Sequence, residues 1–174
     1  LDVLLTGFDS GGGRQSALWR NVGGGVFERA NVELPGLTAS AVAWADYDND
    51  GWLDLFVTNG GDFAEKRDRM FHNNGNGTFT EVQLGALTTD GGRTIACAWA
   101  DYDNNGFPDL VVGNGYQVDG GMFIYKNNGN SNHWLGLTLH GSKGPISAIG
   151  ARVVITSGGK KQVRINQWAT GYLS

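Results

Sequence analysis

The chain alternates between short apolar segments and polar segments rich in glycine, and little of it shows a helical period. Residues 40–45 (Ser-Ala-Val-Ala-Trp-Ala) and 53–58 (Leu-Asp-Leu-Phe-Val-Thr) are typical of the apolar segments. Short runs of β-branched and aromatic residues bounded by Asn, Asp and Gly predict β-strands. The Asn-Gly pair at 74–75 lies between two such runs and predicts a tight hairpin. The pattern therefore predicts an all-β fold of many short strands.

The same order of segments recurs along the chain, which indicates tandem repeats. Three sets of segments match one another: 44–49 with 99–104, 1–7 with 53–59, and 18–21 with 70–73 and 124–127. Each unit is predicted to contain a strand, an acidic loop, a second strand, a connection, and then two strands joined by a hairpin turn. Four strands in about 50 residues is the size of one β-propeller blade.

The blades are predicted at about 1–33, 38–84 and 91–130. The first unit starts at the strand that follows its acidic loop, so the chain holds about two and a half to three blades. A propeller ring needs at least about four blades, so these cannot close a ring alone. The chain also begins with Leu1, and we expect a processed product or part of a longer one.

Past residue 130 the repeat stops, and a small C-terminal β module is predicted at 131–174. Residues 134–139 (Trp-Leu-Gly-Leu-Thr-Leu) alternate as a strand does. A hairpin is expected from 149–156 and 161–166, joined at Ser157-Gly158-Gly159.

The acidic loop at 46–54 (Asp-Tyr-Asp-Asn-Asp-Gly-Trp-Leu-Asp) points to a metal ion. It carries carboxylates at positions 1, 3, 5 and 9 and glycine at position 6. Like charges this close repel, and a hard cation that prefers oxygen ligands relieves the repulsion. Position 6 must turn sharply, and position 7 can offer its backbone carbonyl. The loop therefore predicts bound Ca²⁺.

Two other interpretations of this loop are weaker. An EF-hand requires Glu at position 12, where this chain has Val57, and it requires helical flanks. A solvated acidic turn between strands is the simpler alternative, because Asp, Asn and Gly are common turn residues. The second copy at 101–109 favours the metal loop.

Charge and composition agree with a calcium protein. Seven of the 17 acidic residues lie in the two loops, and two Ca²⁺ ions would bring the formal net charge of −4 to zero. A basic stripe that would bind nucleic acid is absent, and so is an apolar run long enough to span a membrane. Cys97 lies in an apolar run and is expected to be a small buried residue.

These repeats resemble the FG-GAP/VCBS-type repeats of integrin-like calcium-binding β-propellers, over about residues 1–130. The tail resembles the ASPIC/UnbV module at 133–135, 148–153 and 171–174. That module follows such repeats in secreted proteins related to cartilage acidic protein. The resemblance implies a secreted, extracellular protein with structural calcium that serves adhesion, partner binding or self-assembly. Its partners would be a protein, a glycan or further copies of itself, and catalysis is not implied.

The resemblance also implies the calcium ligands. In the first loop they are Asp46, Asp48, Asp50, the Trp52 carbonyl and Asp54; in the second they are Asp101, Asp103, Asn105, the Phe107 carbonyl and Asp109. Asn105 removes one charge, so weaker binding is expected in the second loop. Asp2 would be the last ligand of a third site if a preceding loop were supplied.

Catalysis has little support in the sequence. The segment 8–12 (Phe-Asp-Ser-Gly-Gly) resembles a protease nucleophile segment, but Asp, Ser and Gly also form turns. The three histidines lack metal spacing, and His72 is expected to face solvent from a strand. The alternative function is an enzyme that uses the propeller as a scaffold and acts on extracellular polysaccharide. It would need convergent acids or histidines outside the loops.

Three further features have simple structural interpretations. The mixed charge run at 62–69 is expected to be solvated surface, and the repeated aromatics are expected to pack between neighbouring sheets. Asn76-Gly77-Thr78 matches the N-glycosylation pattern, although a hairpin favours Asn and Gly at these positions anyway.

Overall fold

The computed structural model describes residues 2–38, 40–59, 67–89, 93–115, 121–142, 144 and 146–166. Within these ranges the chain forms strands and one short helix. In chain order they are β1 (Val3–Phe8), β2 (Arg14–Gly23), β3 (Val26–Arg29), β4 (Val42–Ala45), β5 (Asp54–Val57), β6 (Arg69–Asn73), β7 (Phe79–Val82), α1 (Ala86–Thr89), β8 (Thr94–Ala100), β9 (Asp109–Asn114), β10 (Met122–Tyr125), β11 (Arg152–Ser157) and β12 (Lys160–Ile165).

The strands form three antiparallel sheets in which sequential strands are neighbours, followed by a hairpin. The sheet orders are β1-β2-β3, β4-β5-β6-β7 and β8-β9-β10, and β11 pairs with β12. The predicted all-β fold of blade-like units is therefore confirmed. In the described residues the middle sheet has four strands, and the first and third sheets have three strands each.

The middle sheet is packed on both faces, and its second strand shows why. All four residues of β5 are buried, because the run Leu55-Phe56-Val57 is apolar without alternation. A strand that is buried on both faces has a continuous run of apolar residues in its sequence. The middle sheet is accordingly the central layer of the three.

Two hydrophobic clusters join the three sheets. Between the first and middle sheets lie Leu37, Leu55, Val57 and Phe71, with Leu4 and Trp44 packed against them. Between the middle and third sheets lie Phe56, Met70, Leu87, Cys97, Leu110 and Val112. The helix α1 supplies Leu87 to the second cluster. The buried position of Cys97 agrees with its expected role as a small core residue.

The aromatic side chains that recur in the repeats pack between sheets, as expected. The rings of Phe56 and Trp99 meet edge to face at 6.3 Å, across the middle and third sheets. Trp44 and Phe79, both in the middle sheet, also meet edge to face at 6.2 Å. The first strands of these two sheets, β4 and β8, also lie against each other.

The prediction of a strand at 134–139 is wrong, whereas the C-terminal hairpin is confirmed. Residues 134–139 have no regular secondary structure, and Leu135 and Leu137 are exposed. A strand needs a hydrogen-bonded neighbour, and apolar alternation alone does not supply one. The Trp134 ring instead covers Gly106 in the second acidic loop. The module boundary at 130 stays a prediction, and residues 171–174 lie outside the described ranges.

The charge run at 62–69 also differs from expectation at its described end. Asp68 and Arg69 are buried, with relative exposures of 2% and 7%. Asp68 accepts a hydrogen bond from the backbone N–H of Asn59, and Arg69 donates to both carboxylate oxygens of Glu81 at 3.0 and 3.1 Å. Burial is tolerated because both charges have hydrogen-bond partners. Residues 62–66 lie outside the described ranges.

We expect Phe56→Ala to lower the free energy of unfolding by about 3–5 kcal/mol, because it opens a cavity between two sheets. The Phe56 ring is fully buried and the Phe123 ring is 44% exposed. Phe123→Ala is therefore the matched control and should cost less than about 1 kcal/mol. Denaturant unfolding at fixed calcium concentration measures both values, and equal costs would contradict the central position of the middle sheet.

Candidate metal centres

The first acidic loop connects β4 to β5 and curls around its own carboxylates. Asn49 has φ of 57° and Gly51 has φ of 96°, so the backbone turns twice through the left-handed region. Glycine enters this region without steric cost, and asparagine tolerates it better than most residues. The predicted sharp turn at position 6 is therefore present.

The loop backbone holds its carboxylates in place. Asp46 accepts hydrogen bonds from the N–H of Asp50 at 2.9 Å and of Gly51 at 3.0 Å, one on each oxygen. Asp50 accepts from the N–H of Trp52 at 2.8 Å. Each carboxylate oxygen has two lone pairs, so one remains on each for a cation. The side chains are preorganised around one concave loop.

Asp54 is fully buried at the start of β5 and ties three parts of the repeat together. One oxygen accepts from the N–H of Tyr47 in the loop at 3.1 Å, and the other from the N–H of Asn73 at the end of β6 at 2.8 Å. The Asn73 side chain then donates to the Leu53 carbonyl and accepts from the Gly75 N–H in the hairpin. One carboxylate thus links loop, strand and hairpin.

The second loop, between β8 and β9, repeats these contacts residue for residue. Asp101 accepts from the N–H of Asn105 at 3.0 Å and of Gly106 at 2.9 Å. Buried Asp109 accepts from the N–H of Tyr102 at 3.0 Å and of Asn127 at 2.7 Å. Asp2 accepts from the N–H of Asn21 at 2.9 Å in the same way. Asp2 therefore occupies the position-9 place of a repeat whose loop would precede it.

The structure brings the predicted aspartates together. Asp46, Asp48 and Asp54 each place an oxygen within 4.8 Å of the others, and so do Asp101, Asp103 and Asp109. Asp50 groups with Asp48 and with His72, within the same limit.

The residues at positions 5 and 7 have contacts of their own. The Asn105 side chain accepts from the Phe107 N–H, as Asp50 does from Trp52, and its amide also donates to the Asn127 carbonyl at 2.8 Å. The Phe107 ring covers Gly129 of the hairpin, and the Trp52 ring covers Gly75 in the same way. The ligand roles predicted for the Trp52 and Phe107 carbonyls stay predictions.

Basic side chains from outside the loops approach the carboxylates. The Lys126 ammonium lies 2.6 Å from Asp103, and the Arg164 guanidinium of β12 lies 3.8 Å from Asp46. His72 Nδ1 lies 3.2 Å from Asp54 and 3.5 Å from Asp48. The expectation that His72 faces solvent is wrong, because it is half-buried and faces the first loop. A cue was present in the sequence, since Arg20, His72 and Lys126 share one repeat position.

Side chains also connect the two loops and the C-terminal part of the chain. Asn49 donates to the Gly106 carbonyl at 2.9 Å, and Asn127 donates to the Tyr47 carbonyl at 2.7 Å. From the C-terminal side, Asn132 donates to the Asp48 carbonyl at 2.9 Å and Lys160 to the Asp50 carbonyl at 2.8 Å. The two acidic loops are therefore held at the same end of neighbouring sheets.

In the first loop, burial makes the ionised form of three carboxylates unfavourable. Burial, ahead of every other cause, raises the pKa of Asp54 to about 7 and raises the pKa values of Asp46 and Asp48. In the second loop Lys126 holds the pKa of Asp103 below its usual value. Carboxylates and carbonyls are the ligands of hard divalent cations, so the donor set fits calcium chemically.

The sheets are antiparallel, blade-like and arranged in tandem, and the second strand of both the middle and the third sheet begins with an aspartate. These features define a repeat protein of β-propeller-type blades. The chain belongs to the family of FG-GAP-like repeats, whose model matches residues 1–57 and 50–112. No helix in the described ranges is long and apolar enough to cross a membrane.

Curated proteins of similar sequence give a second comparison. The chain is 29% identical to mouse cartilage acidic protein 1 over 135 residues, which cover 74% of this chain and 21% of that protein. It is 28% identical to the human protein over 138 residues, covering 76% of this chain and 21% of that protein. The chain thus spans about a fifth of the length of these relatives. No solved structure matches it.

We expect the metal-free protein to lose stability as the pH rises from about 4 to about 7. The folded pKa of Asp54, about 7, lies above its unfolded value of about 3.9. Between these values the folded state binds more protons, so raising the pH favours unfolding. Melting curves in chelator at several pH values measure the slope. Asp54→Asn removes this titration and should reduce the slope, and a stability that rises over this range would contradict the expectation.

Proposed function

We propose that the chain is a calcium-stabilised segment of an extracellular β-propeller-type protein that serves adhesion, partner binding or self-assembly. The observation that carries the proposal is the pair of matching loops, each with three carboxylates within 4.8 Å of one another and with one of them fully buried. Such burial is unfavourable for free carboxylates, and a bound divalent cation compensates it.

In this proposal calcium is structural. The first ion is held by Asp46, Asp48, Asp50, the Trp52 carbonyl and Asp54, and the second by Asp101, Asp103, Asn105, the Phe107 carbonyl and Asp109. Each ion offsets two negative charges of its loop and so favours the folded state by linkage. A third ion would use Asp2 only if a preceding loop were supplied.

The extracellular location is supported by the relatives and by the chemistry of the site. The similar proteins are named for cartilage, a tissue rich in extracellular matrix. Extracellular modules work with calcium sites of about 0.1–1 mM affinity, which a loop weakened by an amide ligand can provide. The C-terminal residues beyond 130 are proposed to form the ASPIC/UnbV-like module that lies over the loops.

A binding role is favoured over the polysaccharide-cleaving alternative. In the part of the chain that the structure describes, all groups of three acidic or histidine side chains that converge include loop aspartates. Asp9 in the segment that resembles a protease nucleophile accepts hydrogen bonds from the N–H groups of Gly11 and Gly13, which is a turn role. Recognition is then assigned to the sheet edges, where Leu5 of β1 and Ile124 of β10 are exposed.

Calcium should raise the melting temperature relative to chelator. At a concentration 100-fold above Kd the linkage is about 2.7 kcal/mol, or about 5–10 °C for a chain of this size. Asp54→Ala should reduce the calcium-induced rise more than Asp109→Ala, because the first loop has four carboxylates and the second has three. Asp9→Ala, an exposed carboxylate outside the loops, is the control. A wild-type melting curve indifferent to chelator would falsify the calcium role.

The 174-residue chain should self-associate in calcium, because an unpaired strand edge is a template for another strand. Lysine on an edge strand disfavours pairing with a strand of another chain. The double variant therefore replaces the exposed edge residues Leu5 and Ile124 by Lys. We expect sedimentation velocity to show concentration-dependent oligomers for the wild type and fewer for the double variant. Val154→Lys in the C-terminal hairpin is the matched control. A calcium-loaded wild-type monomer at all concentrations would rule out self-assembly.

A further inference from the structure

In the middle and third repeats, the residue that follows the aromatic position reaches the acidic loop of its own repeat. In the middle sheet this residue is His72, and after β10 it is Lys126. Both point at equivalent carboxylates, since His72 Nδ1 lies 3.5 Å from Asp48 and Lys126 Nζ lies 2.6 Å from Asp103. At this shared repeat position, the first loop faces an imidazole and the second loop faces an ammonium group.

These two side chains differ in what they can do beside a metal ion. A lysine ammonium has three donors and no lone pair, so at neutral pH it repels a cation and cannot bind one. A neutral imidazole has one nitrogen lone pair and is a common metal ligand. The first loop with neutral His72 carries −4, whereas three carboxylates and Lys126 leave −2 in the second.

The geometry of His72 suits ligation. Its Nδ1 is buried and makes no hydrogen bond, although carboxylate oxygens of Asp54 and Asp48 lie at 3.2 and 3.5 Å. Two ligands at right angles, each about 2.2 Å from a common ion, are about 3.1 Å apart. The Tyr47 ring meets the imidazole edge to face at 6.3 Å and holds its orientation.

Two basic residues of the C-terminal hairpin, Lys160 and Arg164, face the first loop. Lys160 donates to the Asp50 backbone carbonyl, and Arg164 is the one that approaches a carboxylate. Its guanidinium is 3.8 Å from Asp46 and its side chain is 45% exposed. Solvent screens an exposed pair of this kind. It therefore offsets less of the loop charge than Lys126 does at 2.6 Å.

We propose that His72 is a nitrogen ligand of the first metal centre, which raises the preference of that centre for transition-metal ions such as Mn²⁺ over Ca²⁺. At the corresponding position of the second centre, Lys126 supplies no ligand atom. The second centre therefore has only oxygen ligands and a lower affinity for metal ions. Imidazole is a preferred ligand of transition metals, whereas carboxylates alone suit Ca²⁺, Mg²⁺ and Mn²⁺. The inference rests on the proposed calcium sites and names the residue that makes the two sites unequal.

The test uses the 174-residue chain, Mn²⁺ as the probe and pulsed electron paramagnetic resonance as the readout. Wild-type protein with one equivalent of Mn²⁺ should show modulation from a directly bound ¹⁴N nucleus. His72→Gln should lose this modulation and keep most of the calcium-induced rise in melting temperature. His72→Lys should weaken both Mn²⁺ and Ca²⁺ binding at the first site by at least about tenfold, and His133→Gln, an exposed histidine outside the loops, should change neither.

A reciprocal variant tests the same proposal even if the His72 variants fold poorly. Lys126→His should tighten the second site and add a second ¹⁴N-modulated Mn²⁺ signal. The inference is overturned if wild-type Mn²⁺ shows no ¹⁴N modulation, or if the modulation persists in His72→Gln, while calcium still raises the melting temperature. Absence of both calcium and manganese binding would instead overturn the proposed calcium sites themselves.

Discussion

The structure depends on a buried aspartate at the start of the second strand in both the middle and the third sheet. Asp54 and Asp109 are fully buried, and each accepts the backbone N–H of an asparagine about 20 residues later in the hairpin. The same carboxylate accepts an N–H from its own acidic loop. Loop, strand and hairpin are thereby joined at one point. The buried charge is unfavourable by itself, which is why the surrounding loop has the chemistry of a cation site.

The blades are joined in two chemically different ways. Apolar clusters on both faces of the middle sheet hold the three sheets together by burial. At the polar end, the side-chain amides of Asn49 and Asn127 donate hydrogen bonds to backbone carbonyls of the neighbouring repeat. Ions in the two loops would add charge neutralisation at that end only. Metal binding would then stiffen the loops and leave the apolar clusters unchanged.

Local features were predictable because they depend on neighbouring residues. The alternation of strands and turns, the left-handed glycine at position 6 and the place of Asp2 all follow from spacing within one repeat. The strand predicted at 134–139 was wrong, because pairing requires a neighbour that spacing does not supply. The charge run predicts solvated surface at Asp68 and Arg69, yet hydrogen-bond partners at Asn59 and Glu81 allow both side chains to be buried. His72 was expected to face solvent, although it lies beside the first loop.

The sequence by itself determined the repeat, the all-β class and which aspartates belong to one loop, because alternate carboxylates around a glycine turn converge without help from distant residues. Only the tertiary structure decided which outside side chains reach those loops. His72 lies 18 residues beyond Asp54 and Arg164 lies in the last described hairpin, and packing alone brings each near an aspartate. Such approaches depend on how sheets stack, and stacking is a property of all the buried surfaces together. The difference between the two otherwise matching loops is accordingly tertiary in origin.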